Sequence, residues 1–426
     1  MLRLAIPMMT CLLWVSLAFS QSVGEPVEVA PKCEGTRSQV WASAAWSSQA
    51  KCWLVAWREG YLNEDSTDIW CARISAEGKP LDPAGIRLTK KAPGLRDMPR
   101  VASDGRNWLV VWEDMRNDRD WDVYGAVISA DGKVREENGF RIAGGPRNQC
   151  RPDVGFAAGY YLVVWQELVG EGEPNTKGTA YAVRGVRLQP EGEPLVGVPI
   201  EIARVEQESH AFGPAVACYK EQVLTAFFIA SFGSGNDYLA RRPVDVATGR
   251  ALGPAPEPSR TSNKHPIQLP SSEALRSAVL ARNADFAFTV LAGHGLHLWK
   301  MAGDGTKPEY VAHLAKSAAQ KVADLRYPVR TSLAASDKEL LLVTEWPRLQ
   351  PASRRVRMEI RGWRLASDGR PLDDTEAGFV VAAYERRDQL LPAVAAGPDG
   401  TFLVVYSERR GVDDMKVVAR IIRPSP

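Results

Sequence analysis

Three carboxylates stand at alternate positions in Asp118-Arg119-Asp120-Trp121-Asp122. Alternating acids in a turn can converge on a hard cation such as calcium, which takes six to eight oxygen ligands. The run continues Val123-Tyr124, without the glycine that lets an EF-hand loop turn sharply. The plainer reading of Asp118, Asp120 and Asp122 is therefore a solvated loop, and calcium is the one cofactor the sequence suggests at all. A second group is basic: Arg348, Arg354, Arg355 and Arg357 crowd one loop. They could dock an anionic glycan or a lipid headgroup, although a solvated loop accounts for them as simply. Glu113, Asp114 and Arg116 recur in part as Glu408 and Arg410. Arginine and carboxylate at repeated positions can grip an anion bidentately, but recurrence favours ion pairs that tie a repeat together.

The remaining residue types say less. His294 and His297 are the only close histidine pair among five, and residues three apart on a strand point to opposite faces. The chain has no H-E-x-x-H, no G-x-S-x-G, no phosphate-binding G-x-x-x-x-G-K and no C-x-x-C. Nothing local marks a catalytic centre, although a site assembled from several repeats would leave no local signature.

The elements that must position these residues follow a period. SAEG at Gly78, SADG at Gly132, QPEG at Gly192, VATG at Gly249, AGDG at Gly305 and ASDG at Gly369 each close a short β-like run. Their spacing averages about 58 residues, the mark of a stacked or radial repeat architecture. The clearest copy has PRVAS, a turn at Asp104-Gly105, NWLVVWED, a polar stretch, DVYGAVIS, the turn at Gly132 and GFRIA. Turn formers flank four runs of β-branched and aromatic residues, which predicts four strands, a to d. Trp57, Trp112 and Trp165 end strand b at one repeat position, where packing between repeats explains them better than sugar stacking.

The last copy begins at Pro392 and stops without a fourth strand, while PVEVA at Pro26–Ala30 resembles the d-like PIEIA at Pro199–Ala203. A ring closed by a strand from the opposite terminus removes an exposed sheet edge. The expected fold is all-β: a seven-bladed β-propeller of four-stranded antiparallel blades, with six or eight blades as the margin. Approximate repeat bounds are 41–97, 98–150, 151–212, 213–270, 271–327, 328–390, and 391–426 with 26–30.

The repeat resembles those of exported bacterial propeller proteins that carry an LVVWED-x-R…D-[IV]-Y-G hairpin, here Leu109–Arg116 and Asp122–Gly125. The resemblance spans nearly all of the chain past its first residues and implies the propeller fold, but no activity, because propellers host lectins, adhesins, hydrolases and scaffolds alike. The stretch Ser103–Trp108 is similar to a sialidase Asp-box, yet its aspartate and glycine are adjacent and it joins strands a and b, so no sialidase residues are carried over.

Composition narrows the partners. Charged residues are 24% and apolar ones 45%, the ordinary globular range, so disorder is not expected. A net charge of +2 leaves no basic excess to bind nucleic acid by counterion release. Arg3, the apolar run at 4–19 and Ala18-Phe19-Ser20 form a secretory signal over 1–20, with Gln21 as the mature start and no transmembrane segment thereafter. A secreted, periplasmic or envelope location follows. Five cysteines would remain, and Cys52 and Cys71, on neighbouring strands, are a possible disulfide. Three loops between strands b and c are long: Arg58–Thr67, Gln166–Thr179 and Pro347–Arg357. Loops that break a repeat usually build the binding face. The expectation is a monomeric, non-enzymatic module that binds a protein or a glycan through that face. The alternative is a glycoside hydrolase or lyase acting on polysaccharide in the central funnel, recognised by acids at the inner rim that do not recur in register.

Overall fold

The computed structural model describes residues 22–424, apart from 35–37, 62–63, 90–93, 172–178, 194–198, 206–208, 231–236, 259–266, 268–278, 294, 316–329 and 350–355. Seven antiparallel sheets follow one another along the chain. In blade 2 the strands are Arg96–Ser103 (a), Trp108–Asp114 (b), Asp122–Ile128 (c) and Phe140–Ala143 (d). Blades 1 and 3 to 6 repeat this order, with strands a at Gln39–Ser47, Gln149–Ala157, His210–Tyr219, Leu280–Arg282 and Thr331–Ala335. Blade 7 holds Gln389–Ala396, Phe402–Arg409 and Met415–Arg423, and its outer edge is completed by Ser22–Val23 and Val27–Glu28. Val27 pairs with Ala419 and Glu28 with Val418, so the ring closes where PVEVA predicts. Arg410 adds an ion pair to Glu28 at 2.8 Å across that seam.

Strand b is buried along its whole length in blades 1 and 2, as its unbroken apolar run requires. Burial is organised between blades. Seven apolar clusters each join two neighbouring sheets, from Trp57 with Val405 at the 7–1 junction to Val343 with Tyr406 at the 6–7 junction. Trp57, Trp112 and Trp165 each sit in the cluster shared with the preceding blade, as expected of packing residues.

The periodic glycines have a structural cause. All six have positive φ, between 74° and 91°, a region that L side chains rarely adopt. They lie in the c–d turns, and each turn docks on the preceding blade. Arg73 of blade 1 donates to the Ala130 carbonyl at 2.7 Å, and Arg187 of blade 3 to the Val246 and Ala247 carbonyls. A β-carbon on Gly132 would stand 3.0 Å from the Arg73 Cζ, so the turn residue must be glycine for both reasons.

The register corrects one expectation. Cys52 lies opposite Ser75, and Cys71 opposite Ala56, which places the two cysteines four residues apart along the paired strands. At about 3.3 Å per residue that offset is too long for a disulfide. Both are buried thiols, and no disulfide joins any of the five described cysteines. Among the described residues no helix is long and apolar enough to cross a membrane.

Candidate active site at the upper mouth of the channel

The inner strands surround a central channel. Toward the ends of these strands lies a cavity of about 400 Å³ lined largely by alanines, among them Ala44, Ala281, Ala334 and Ala395, together with Trp46 and Arg282. The upper mouth is built differently. Among the described residues, strand a carries a β-bulge near its start in five blades, with register shifts after Val40, Asp97, Cys150, Phe212 and Leu390. The bulged residue is left-handed each time: Trp41, Met98, Arg151, Gly213 and Leu391 have φ between 51° and 61°. A bulge leaves a backbone group without its ladder partner. At three of these bulges the preceding blade supplies one. Glu113 Oε2 accepts the Arg151 amide at 2.8 Å, Gln166 Oε1 the Gly213 amide at 3.0 Å, and Glu345 Oε1 the Leu391 amide at 2.6 Å. These acceptors follow the repeat tryptophan or its substitute in strand b, so they are in register and belong to the scaffold.

Blade 1 breaks the series. Arg58 occupies the acceptor position, and its guanidinium lies 2.6 Å from Asp97 of blade 2. Both side chains are buried, at 5% and 8% exposure. Asp97 in turn is the register partner of Glu113 across strands a and b. Val40, Cys150, Phe212 and Leu390 fill the corresponding position elsewhere, so Asp97 is an acid without counterpart in those blades. Arg100 stands near the same group and meets Asp153 of blade 3 at 3.8 Å. Burial pushes the Glu113 carboxyl up to about 7, and the Asp97 charge adds to the rise. Burial also raises Asp97, against the opposing pull of Arg58. The result is two adjacent buried acids, one of which holds its proton near neutral pH.

Across the mouth the bulged Trp41 reaches Arg330 of blade 6, whose guanidinium carbon lies 4.2 Å from the ring centroid. An aromatic ring and a cation thus span the blade 7 side of the opening. Burial raises the Cys52 thiol to about 11 and the Cys150 and Cys218 thiols to about 12, away from the thiolate form.

The residues singled out from the sequence are tied up elsewhere. Asp120 accepts from Asn117 Nδ2 at 2.6 Å and from the Arg147 amide at 2.8 Å. Asp118 has left-handed backbone, and Asp122 begins strand c of blade 2, buried. The three do not gather, and among the described residues no group of three His, Cys, Asp or Glu is placed to hold a metal. Arg348 and Arg357 face each other across an extended b–c hairpin and pair with Glu359 at 3.7 Å and Asp388 at 3.4 Å. Arg354 and Arg355 lie outside the described residues. Asp114 accepts from Trp112 Nε1 at 2.9 Å and pairs with Arg96 and Arg116, while Glu408 pairs with Arg387 and Arg410. Those recurring pairs are internal ties.

Sequence reasoning passed over Arg58, Asp97 and Trp41, and saw Glu113 only as part of a recurring pair. Aligning the residue after the strand-b tryptophan, or the phenylalanine, threonine or tyrosine that replaces it, would have exposed Arg58, since Glu113, Gln166, Phe228, Glu345 and Ser407 stand there in other blades. The bulge that brings Asp97 and Trp41 to the mouth has no comparable signal.

No protein-family model matches the chain, and no curated protein is similar to it in sequence. Its fold is shared with solved structures. A protein of unknown function from Dyadobacter fermentans superposes with a TM-score of 0.52 at 8% identity, covering 95% of this chain and 99% of that one. A thermostable family-43 glycoside hydrolase matches at 0.41 and 9% identity, over 84% of this chain and 100% of the other. A Trypanosoma rangeli sialidase variant with trans-sialidase activity matches at 0.48 and 10% identity, over 94% and 58%. At these identities the likeness is one of fold. The expected non-enzymatic binding module is nevertheless corrected. Asp97 on strand a of blade 2 is the non-recurring inner-strand acid by which a funnel enzyme is told from a scaffold.

Proposed function

We propose that the protein is a glycan-acting hydrolase whose site is the upper mouth of the channel. The observation that supports this reading is the buried Asp97–Glu113 register pair, with Arg58 at 2.6 Å from Asp97. Glycoside hydrolysis uses two carboxyl groups in opposite protonation states. Glu113 holds a proton up to about pH 7 and serves as the acid that protonates the leaving glycosidic oxygen. Asp97, ion-paired with Arg58, faces the positive charge that develops at the anomeric carbon as the C–O bond breaks; water then adds at that carbon and its proton returns to Glu113. Trp41 supplies a ring on which a sugar can stack, with Arg330 beside it for an acidic substituent.

The test is a panel of neutral and acidic polysaccharides and aryl glycosides, assayed with the wild type, Asp97→Asn and Glu113→Gln. Hydrolysis by the wild type and its loss in both variants is the expected result. A folded wild type inert on the whole panel would remove the proposal. The reading also places the protein outside the cytoplasm, on the strength of the segment over 1–20, which lies outside the described residues. The mature N-terminus of the native protein, read by Edman sequencing, should then be Gln21.

A further inference from the structure

Strand a of blade 5, Leu280–Arg282, ends on an arginine where its counterparts are uncharged. Arg282 lies opposite Ala287, a strand-b residue buried in the junction with blade 4. In the other blades the same register pair is Trp46–Trp53, Ser103–Trp108, Phe156–Tyr161, Cys218–Val223, Ala335–Leu340 and Ala396–Phe402. Ala287 is the smallest residue on the strand-b side, which leaves room for a long neighbour.

Arg282 is 6% exposed. Its Nη2 donates to Gln222 Oε1 of blade 4, its Nε is enclosed without a partner, and its Nη1 is neither enclosed nor hydrogen-bonded among the described residues. Gly303 keeps the space that the guanidinium fills, since a β-carbon there would overlap Nη2. Among the described residues no carboxylate forms an ion pair with Arg282. Asp304 is the acid whose field reaches it, but that carboxylate is exposed and accepts the Thr306 amide at 2.8 Å and hydroxyl at 2.6 Å. Cys218 also stands near, and burial keeps its thiol neutral. Arginine does not shed its charge to escape burial, so the fold holds a buried cation without its anion.

Arg282 lines the cavity of about 400 Å³ at this end of the channel, a size typical of small-molecule pockets. The wall around it is apolar: alanines, Leu280, Leu333 and Trp46, whose ring is held edge-on against Trp53 at 4.6 Å. Strand a is the edge of its sheet in each blade that lines the cavity, so alternate backbone amides face the channel instead of a partner strand. A bare inorganic anion would answer the guanidinium and leave the apolar wall wet. A hydrocarbon body bearing one carboxylate answers both, with its second oxygen open to a backbone amide.

We propose that this end of the channel binds a small organic carboxylate, its head on Arg282 and its apolar body against Trp46 and the alanines. The site lies at the opposite end of the inner strands from Asp97 and Glu113, and it stands independently of the hydrolase reading.

The probe is 4-fluorophenylacetate, followed by fluorine NMR against the full-length protein at pH 7.5 and constant ionic strength. It should bind saturably, its neutral isostere 4-fluorophenylacetamide at least tenfold more weakly, and inorganic phosphate should not displace it. Arg282→Gln should weaken binding at least tenfold, and Arg282→Met, which removes the unpaired cation, should melt no lower than the wild type. The carboxylate should also raise the wild-type thermal midpoint above that in the same concentration of the amide, a comparison that needs no variant to fold. Absence of saturable binding, equal binding of the amide, displacement by phosphate, or unchanged binding in folded Arg282→Gln would overturn the proposal.

Discussion

Glu113→Gln separates the two roles that the structure assigns to one carboxyl group. As a latch, Glu113 accepts the Arg151 amide at the blade 2–3 junction; the equivalent latch at the next junction is a glutamine, Gln166, which accepts the Gly213 amide at 3.0 Å. The amide should therefore keep the junction intact. As an acid, Glu113 is raised from an ordinary 4.5 to about 7, chiefly by burial. The folded protein then binds this proton more tightly than the unfolded chain does. The contribution of this group is full below pH 4.5, where both states are protonated, and is lost as pH rises to 7, where the folded state ionises too. At about 1.4 kcal/mol per pH unit, the decline amounts to about 3 kcal/mol as an upper limit. Glutamine cannot ionise, so this portion of the pH dependence should vanish. Urea denaturation of wild type and variant at pH 5 and pH 8 measures it. The wild type should lose stability between the two values relative to the variant, and the variant should be the more stable at pH 8. Parallel changes in both proteins would refute the burial argument. Glu113→Ala provides the contrast: it strands the Arg151 amide and should cost about 1–3 kcal/mol at either pH.

Removal of residues 22–30 deletes both strands that close blade 7 and should lower the thermal midpoint sharply and promote association through the bared strand Met415–Arg423; a truncated protein with unchanged midpoint would show that the seam is dispensable. Arg58→Met alone leaves Asp97 buried without its cation and should destabilise by about 3–5 kcal/mol, whereas Arg58→Met with Asp97→Leu should recover most of that loss in the same denaturation assay. Gly132→Ala forces an L residue to φ 85° against Arg73 and should cost more than 1 kcal/mol (about the entropic gain it forgoes and then strain), while Gly145→Ala, with open space around its β-carbon, should be near neutral. If the channel mouth hydrolyses glycans, kcat/KM should fall as pH rises through about 7 and Glu113 loses its proton.

The features legible in the sequence are those that recur. Turn glycines in six copies, tryptophans at one strand-b position in three, and apolar strand-b runs recur because each blade solves the same packing problem. They were enough to place the ring, its seven blades and its N-terminal closing strand. The first blade's strand a, Gln39–Ser47, escaped notice because Trp41 sits on a bulge and disrupts the alternation that marks a strand. Cys52 and Cys71 looked bridgeable for a related reason: strand neighbours are readable, but register depends on the turn that joins them, and the pairing with Ser75 is a tertiary outcome.

The candidate site lay beyond that kind of reading. Of the acidic and basic clusters visible along the chain, Asp120 is bound by Asn117 and Arg147, and Arg348 and Arg357 are paired with Glu359 and Asp388. The residues that meet at the mouth come from different blades: Arg58 from the first, Asp97 and Glu113 from the second, and Trp41 facing Arg330 from the sixth. Local periodicity, turn chemistry and burial of apolar faces are properties of short segments, and the sequence by itself determined the blade and the number of blades. Which side chains converge at the axis depends on bulges, on left-handed inner-strand residues and on which blade lies next to which. Those were decided only when the ring closed, because the low-dielectric junction that shifts Glu113 and pairs Arg58 with Asp97 does not exist in any single blade.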